Sequence, residues 1–183
     1  MLRFFAALVF LLCAGPAMAT EAGWALLREG GHVVLMRHAM SGGGAEPANF
    51  DIEKCATQRN LSERGKQQAR KIGALFAARA APVERILSSR WCRCLDTARI
   101  AFDAKPEIFE ALDPPKADEA QKAAQLKAVV DTIAGFAGSD NLVMVTHAED
   151  ILALTGVSAR EGEAVIVRPD GERLHVLARI VFN

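Results

Sequence analysis

The 183-residue sequence has no excess of charge of either sign, because 22 lysine and arginine residues are matched by 22 aspartate and glutamate residues. Proteins that bind nucleic acid or an anionic membrane surface through charge usually carry a clear basic excess. The composition therefore predicts no nucleic-acid partner and no stable membrane anchor. Any anion that the protein binds must be held by a local cluster of basic side chains.

Long apolar runs are also missing, except near the first residues. The run at 4–14 is shorter than the roughly 20 apolar residues that a membrane helix needs. A basic residue precedes it and the small-x-small sequence Ala17-Met18-Ala19 follows, an order typical of secretory signal peptides. We predict that residues 1–19 are cleaved as a signal peptide and that residues 20–183 form one periplasmic or secreted domain. A retained amphipathic anchor is the alternative interpretation.

Cysteine is scarce, and three cysteines follow the predicted signal peptide: Cys55, Cys92 and Cys94. In an oxidising compartment an odd number allows one disulfide and one free thiol. We expect Cys55 to pair with either Cys92 or Cys94. A metal site is the weaker interpretation, because no histidine stands near these thiols at ligand spacing. We predict neither a metal nor an organic cofactor.

The remaining pattern alternates short apolar runs with amphipathic segments. The pattern predicts strands at 33–36, 83–88, 141–146, 164–168 and 174–182, of which 33–36 and 141–146 have buried-strand character. The last two are joined by the turn at Asp170-Gly171. Helical spacing of apolar residues occurs at 62–80, 91–102, 118–136 and 151–154. This alternation predicts an α/β fold, a three-layer α/β/α sandwich with a mostly parallel central sheet.

Three segments of the sequence place basic and imidazole side chains just after predicted strands. They contain Arg37-His38, Arg93 and His147. Ligands of open α/β sheets bind beyond the carboxyl ends of the strands, so we expect these side chains to converge. A neutral imidazole can attack phosphorus, and arginine grips phosphate oxygens in pairs while keeping its charge. The pattern therefore predicts phosphoryl transfer.

The same segments resemble a known family. The ordered sequences LMRHA, SSRWCRCLDTA and VTHA are similar to motifs of the histidine phosphatase superfamily, which includes the cofactor-dependent phosphoglycerate mutases. The sequence NLSERG at 60–65, followed by Gln68-Ala69, also resembles that family. Any one of these motifs is weak evidence, whereas four in the family's order are specific.

The resemblance implies a role for each matched residue. It implies that His38 is the nucleophile, and that Arg37, Arg93 and His147 hold the phosphoryl group beside it. Ser41 stands where relatives often carry a hydroxyl residue near the phosphate. The loop departs from the mutase pattern at Gly44, where an asparagine is common.

The general acid is less clearly indicated by the resemblance. Glu149 in His-Ala-Glu resembles the acid of some phytase-like members, Glu110 stands where the mutase-like branch carries a glutamate, and Asp150 is a third candidate. We favour Glu149, although a helix dipole favours an acidic residue in the first helical turn whatever the function. Arg59 and Arg90 either widen the basic pocket or lie on the surface.

Together these features predict an exported, metal-independent phosphomonoesterase of the histidine acid phosphatase type, acting through a phosphohistidine intermediate on His38. The expected partner is a small phosphorylated substrate, for which an envelope sugar phosphate and a phosphoprotein are both candidates. The alternative is a catalytically weak phosphatase-like module that binds phosphorylated ligands without hydrolysing them.

Overall fold

The structure, a computed structural model, describes residues 16–182. Its helices are α1 (Pro16–Glu29), α2 (Glu63–Ala78), α3 (Cys92–Phe102), α4 (Glu119–Ala134) and α5 (Ala148–Thr155). Its strands are β1 (Val33–Arg37), β2 (Val83–Ser88), β3 (Glu107–Ile108), β4 (Asn141–Thr146), β5 (Ala164–Asp170) and β6 (Arg173–Ile180). Short 3-10 turns lie at Cys55–Thr57 and Glu110–Leu112.

The predicted signal peptide falls mostly outside the described residues. Only its last four positions, 16–19, are described, and they belong to α1. Cleavage and export therefore stay predictions. No helix within residues 16–182 has the length and apolar character needed to cross a membrane.

The strands form one sheet in the order β3-β2-β4-β1-β5-β6. The first four strands are parallel to one another, β5 runs antiparallel to β1, and β6 runs antiparallel to β5. The mostly parallel sheet is therefore confirmed. The antiparallel pair follows from the tight turn predicted at Asp170-Gly171, because a two-residue turn can join only antiparallel strands.

Two hydrophobic clusters cover the two faces of the sheet, as the three-layer prediction requires. Along β4, Val143 and Val145 face the cluster formed with α1, α2 and α3, whereas Leu142 and Met144 face the cluster formed with α4 and α5. Successive strand side chains point to opposite faces. A strand buried on both faces must therefore be apolar at every position, which is how β4 reads from Leu142 to Val145.

Capping side chains fix the beginnings of two predicted helices. The Ser62 hydroxyl accepts a hydrogen bond from the Gly65 N–H, and the Asp118 carboxylate accepts one from the Gln121 N–H. Gly65 also lets α2 approach the chain just after β1, because a Cβ at this position would collide with the Met40 carbonyl. The predicted starts of α2 and α4 are thus confirmed within one residue.

The structure differs from the predictions in two elements. Strand β3 was not predicted, because its two exposed residues carry no apolar pattern. Helix α5 begins at Ala148 rather than at 151, because the polar Glu149 and Asp150 form its first turn. This earlier start places the two acidic residues directly beside the end of β4.

Candidate active site

The sheet register brings the chemically active residues to one edge. Arg37 at the end of β1 pairs with Thr146 at the end of β4, and Ser88 of β2 pairs with Val145. The residues that follow continue this pairing: the His38 N–H donates to the Thr146 carbonyl at 3.0 Å. His147 then follows β4, so the predicted convergence of the three segments is what the structure shows.

The tautomer of His38 is set by one backbone contact. Its Nδ1 lies 2.8 Å from the Ala39 carbonyl oxygen, which can only accept, so Nδ1 carries the hydrogen. Nε2 is left with its lone pair. His38 is 2% exposed, and its pKa is lowered to about 3. Burial is the main cause, the hydrogen bond with Ala39 opposes it, and the charges of Arg93, Arg37 and Arg59 add to the lowering. The ring is therefore neutral at neutral pH and nucleophilic at Nε2.

Three arginines surround His38, and we name Arg37, His38, Arg59, Arg93 and His147 the basic cluster. Arg37 Nη1 donates to the Ala159 carbonyl at 2.9 Å, and Arg93 Nη1 lies 2.7 Å from a Glu46 carboxylate oxygen. The Nε atoms of all three arginines are buried and have no hydrogen-bond partner among the described residues. Because an unpaired buried donor is costly, such nitrogens indicate a site for an oxyanion.

His147 carries the opposite tautomer. Arg93 Nη2 lies 3.2 Å from Nδ1 of His147, and a guanidinium can only donate, so Nδ1 accepts and Nε2 carries the hydrogen. Nε2 then donates to the Ser89 hydroxyl at 3.0 Å, which donates in turn to Asp113 at 2.9 Å. Burial, followed by the charge of Arg93, lowers the pKa of His147 well below its usual value.

Asp113 anchors this chain of hydrogen bonds from behind the cluster. Its second carboxylate oxygen accepts from Arg90 Nε at 2.8 Å, and Arg90 Nη2 completes the ion pair at 2.7 Å. Arg90 is thereby turned towards Asp113. Arg59 and Arg90 thus differ in position. Arg59 belongs to the basic cluster, whereas Arg90 contacts it indirectly through Asp113 and Ser89.

A disulfide ties the long loop after β1 to the beginning of α3. Cys55 and Cys92 are bonded with their Cα atoms 5.6 Å apart, so the first of the two predicted pairings is confirmed. Cys94 is free and buried, and burial raises the pKa of its thiol. The two half-cystines stand close in sequence to Arg59 and Arg93, so the bond holds these two members of the basic cluster together.

Residues 33–113 match the family model of the histidine phosphatase superfamily, branch 1. This match covers less than half of the chain and includes Arg37, His38 and Arg93. It supports phosphatase or mutase activity and agrees with the resemblance seen in the motifs. No curated protein matches the sequence.

Several solved structures share the fold of this chain at low identity. The protein histidine phosphatase SixA, solved with tungstate, is 18% identical with a TM-score of 0.57, over 81% of this chain and 96% of its own. Phosphoglycerate mutase from Thermus thermophilus is 20% identical with a TM-score of 0.58, over 83% and 99%. A mutant phosphoserine phosphatase from Entamoeba histolytica, solved with phosphoserine, is 12% identical with a TM-score of 0.56, over 81% and 95%. These likenesses establish the fold.

The three acidic residues considered as general acid lie in different surroundings. Glu149 is exposed and lines a groove with Lys116 and Lys122, and no member of the basic cluster lines that groove. Glu110 is also exposed, with a carboxylate oxygen 3.5 Å from Arg90 Nη1. Neither carboxylate has a hydrogen bond to the basic cluster among the described residues, so their proposed roles stay predictions.

Asp150, the third candidate, is fully buried. The Thr146 hydroxyl lies 2.8 Å from both an Asp150 carboxyl oxygen and the Leu112 carbonyl oxygen. One hydroxyl hydrogen cannot serve both acceptors, so both contacts are satisfied only if Asp150 is protonated and donates to Thr146. Burial raises the pKa of Asp150 to about 8, which agrees with a neutral carboxyl group at neutral pH.

Ser41, assigned to phosphate binding by the resemblance, contacts an acidic residue. Its N–H and its hydroxyl both donate to Glu161 at 3.1 Å, and the same carboxylate oxygen is 4.0 Å from Arg37 Nη2. Ser41 therefore lies beside Arg37, with its hydroxyl engaged by Glu161. Its role in phosphate binding stays a prediction.

Sequence reasoning missed Glu46, Asp113 and Glu161. Each contacts the site through a side chain carried on a loop or turn outside the matched motifs. For Ser89 a signal was present, because it belongs to the SSRWCRC segment that resembles the family. Nothing in the local sequence distinguishes Glu46, Asp113 and Glu161 from ordinary surface acids.

Proposed function

We propose that the protein is an exported, metal-independent phosphomonoesterase of the histidine acid phosphatase type that works through a phosphohistidine on His38. The observation that carries the proposal is the His38–Ala39 contact at 2.8 Å. It fixes the hydrogen on Nδ1 and leaves a neutral Nε2 among three arginines. A neutral imidazole held beside unpaired cationic donors is the arrangement that phosphoryl transfer needs.

The basic cluster supplies the charge that the reaction requires. In the transition state, negative charge spreads over the three equatorial oxygens of the phosphoryl group. The buried Nε donors of Arg37 and Arg93 have no hydrogen-bond partner among the described residues, so they can meet these oxygens without first giving up a partner. Imidazole attack forms the phosphohistidine, and water then hydrolyses it to release phosphate and restore His38.

The neighbouring surface suits a small organic phosphate. A cleft of about 200 Å³ is lined by Phe50 and Trp91, whose rings stack with centroids 4.6 Å apart, and by Lys116. Trp91 also packs against Arg93, with the guanidinium carbon 4.5 Å from its ring centroid. A cleft of this size suits a small molecule better than a protein surface, so we favour a sugar phosphate over a phosphoprotein as substrate.

Export rests on the N-terminal pattern and on one covalent feature. The Cys55–Cys92 disulfide is of the kind that oxidising compartments maintain and the cytosol reduces. Periplasmic fractionation of the full chain, with mass measurement of the mature N-terminus, tests this part. Recovery of the uncleaved chain in the cytosol, with both thiols reduced, would contradict it.

Hydrolysis of 4-nitrophenyl phosphate in the presence of a chelator tests the activity. The wild type should turn over and His38→Ala should not, while His175→Ala, an exposed strand histidine, serves as the matched control. Rapid quenching in an alkaline denaturant should leave phosphate on His38 in a bond that acid then hydrolyses. Full activity of His38→Ala would overturn the mechanism. A folded wild type that binds vanadate without turnover would instead favour a phosphate-binding module.

The same assay separates the candidate substrates. A panel of sugar phosphates and a phosphohistidine peptide is compared by kcat/KM. SixA is described as a protein histidine phosphatase, which makes the peptide an informative competitor. Higher kcat/KM for the peptide than for every sugar phosphate would overturn the preference for sugars.

A further inference from the structure

Glu46 lies against the basic cluster on the loop after β1. One of its carboxylate oxygens is 2.7 Å from Arg93 Nη1 and 3.8 Å from Arg59 Nε, and the other accepts from the Arg59 N–H at 2.8 Å. Arg93 in turn donates to His147. Glu46 is therefore hydrogen-bonded directly to Arg93, an arginine of the basic cluster.

Two other acidic residues approach the cluster, but each is engaged differently. Glu161 uses one oxygen to accept two hydrogen bonds from Ser41 and lies 4.0 Å from Arg37. Asp113 is buried and reaches His147 only through Ser89. The side chains of Glu46 and Glu161 are 24% and 31% exposed, so water reaches both, but of these two Glu46 is the one within hydrogen-bond distance of a cluster arginine.

The charges around the site change when a phosphoryl group binds. Arg37, Arg59 and Arg93 contribute three positive charges, Glu46 and Glu161 contribute two negative charges, and both histidines are neutral. A bound phosphate dianion turns this small positive excess into a negative one. Uptake of one proton restores neutrality. Of the two carboxylates that water reaches, Glu46 is the one that contacts Arg93, which is expected to hold the phosphoryl group.

We propose that Glu46 is the general acid of the phosphatase: it is protonated when a phosphomonoester binds and gives this proton to the leaving oxygen. The inference rests on the proposed function, because it assigns a residue to the first step of that reaction. It replaces Glu149 and Glu110, whose carboxylates face a separate groove and Arg90.

The step balances as follows. The lone pair of His38 Nε2 forms a bond to phosphorus as the bond from phosphorus to the leaving oxygen breaks, and the electron pair of that bond stays on the oxygen. This oxygen takes the proton of Glu46, so the products are the alcohol, the phosphohistidine and the Glu46 carboxylate. In the second step water attacks phosphorus, the electron pair of the P–N bond returns to Nε2, and Glu46 receives the proton of the water.

The charged groups facing Glu46 come from two elements. Arg93 belongs to α3 and Arg59 to the segment before α2, with the neutral imidazole of His147 hydrogen-bonded to the far side of Arg93. Both arginines keep their charge over the working pH range. The proton taken up on phosphate binding is therefore assigned to the Glu46 carboxylate.

Leaving-group dependence tests the proposal. Because a general acid contributes about 10²- to 10⁴-fold when the leaving group is basic, Glu46→Gln should lower kcat/KM for glycerol 2-phosphate about 100-fold or more. For 4-nitrophenyl phosphate, whose leaving group needs little protonation, the loss should stay below about tenfold. Glu53→Gln, an exposed glutamate on the same loop, is the matched control. Equal losses on both substrates, or no loss, would overturn the role.

Proton uptake gives a readout that a merely structural role of Glu46 would not move. Calorimetric titration with vanadate, in buffers of different ionisation enthalpy, should show about one proton more taken up by the wild type than by Glu46→Gln. Equal uptake would also overturn the role. These outcomes are distinguishable from failure of the phosphohistidine mechanism, which His38→Ala tests on the aryl substrate without dependence on an acid.

Discussion

Two regions of the molecule build the site by different means. The strand-end region comprises His38, Ser89 and His147, which follow β1, β2 and β4 and are placed by sheet register and burial. The pinned loop, residues 40–61, carries Glu46 and Arg59 and is held by side-chain contacts and a disulfide. The comparison shows that the nucleophile is positioned by the fold itself, whereas part of the surrounding charge is positioned by a few local contacts.

The largest expected effect comes from an arginine that joins the two regions. Arg93→Ala removes the donor to Glu46 and to His147, so kcat/KM should fall about 10²- to 10³-fold on 4-nitrophenyl phosphate. Arg59→Ala should have a smaller effect, because Arg59 is more exposed. Arg99→Ala, on the exposed side of α3, is the control. A larger loss of kcat/KM for Arg59→Ala than for Arg93→Ala would contradict this order of effects.

The disulfide should matter to the pinned loop more than to the strand ends. Removing it in Cys55→Ser/Cys92→Ser reopens a loop with a sequence separation of 37, which the chain-entropy model equates with a loss of about 3–4 kcal/mol in the free energy of unfolding. Phosphate should also bind more weakly, because Arg59 is released, while acid-labile phosphate should still form on His38. Chemical denaturation and phosphate inhibition measure the two effects.

Reductant supplies the internal control for that variant. Dithiothreitol should destabilise the wild type to a similar degree and leave the double variant unchanged. If the reduced wild type kept its full stability and phosphate affinity, the loop would be held by its other contacts alone.

The pH dependence of stability should depend on Asp150, beside the strand ends. Its pKa is raised from 3.8 to about 8, so the folded protein keeps a proton that the unfolded chain releases. The contribution of this proton to the free energy of unfolding is fully present below pH 3.8. It is lost as pH rises through about 8, by up to about 1.4 kcal/mol per pH unit. Asp150→Asn should lack this loss.

Unfolding by urea at pH 5 and pH 8 measures that difference. Both proteins contain the same histidines, so the change in their relative stability isolates Asp150. The free energy of unfolding of Asp150→Asn should rise relative to that of the wild type between the two pH values. A constant difference would contradict a neutral Asp150 in the folded protein.

The smallest effect is expected where the pinned loop enters α2. Ser62→Ala removes the hydroxyl that caps the helix through the Gly65 N–H, which should lower the free energy of unfolding by about 1 kcal/mol. Phosphate inhibition should not change. Ser139→Ala, an exposed serine outside any helix, is the control for chemical denaturation. Equal free energies of unfolding for Ser62→Ala and Ser139→Ala would contradict a stabilising cap at Ser62.

Much of the strand-end region could be predicted from sequence. The strands at 83–88 and 141–146 were predicted with the bounds that the structure shows. For β4 the reason is that a strand buried on both faces leaves an uninterrupted apolar run, whereas β2 includes the exposed Glu84 and Arg85. The convergence of His38, Arg93 and His147 followed from where parallel strands end. These features depend on short stretches of sequence and on the general geometry of α/β sheets.

The pinned loop could not be predicted in the same way. Glu46 meets Arg93 across 47 residues of sequence, and Asp113 meets Ser89 across 24, through single side-chain contacts that leave no periodic pattern.

The burial of Asp150 could not be predicted from the sequence for another reason. An acid in the first turn of a helix is expected at the surface, and only the packing of α5 on the sheet shows that it lies inside.

The pairing of Arg37 with Thr146 has a consequence for how this chain can vary in length. An insertion or deletion of one residue inside β1 or β4 would shift the histidine that follows by about 3.3 Å and turn it to the other face of the sheet. The loop from 40 to 61 is under no such restriction, because it is tied at a few points rather than along a ladder. Natural length variation among proteins of this fold should therefore accumulate after the first histidine, and the strands leading to both histidines should keep their residue count.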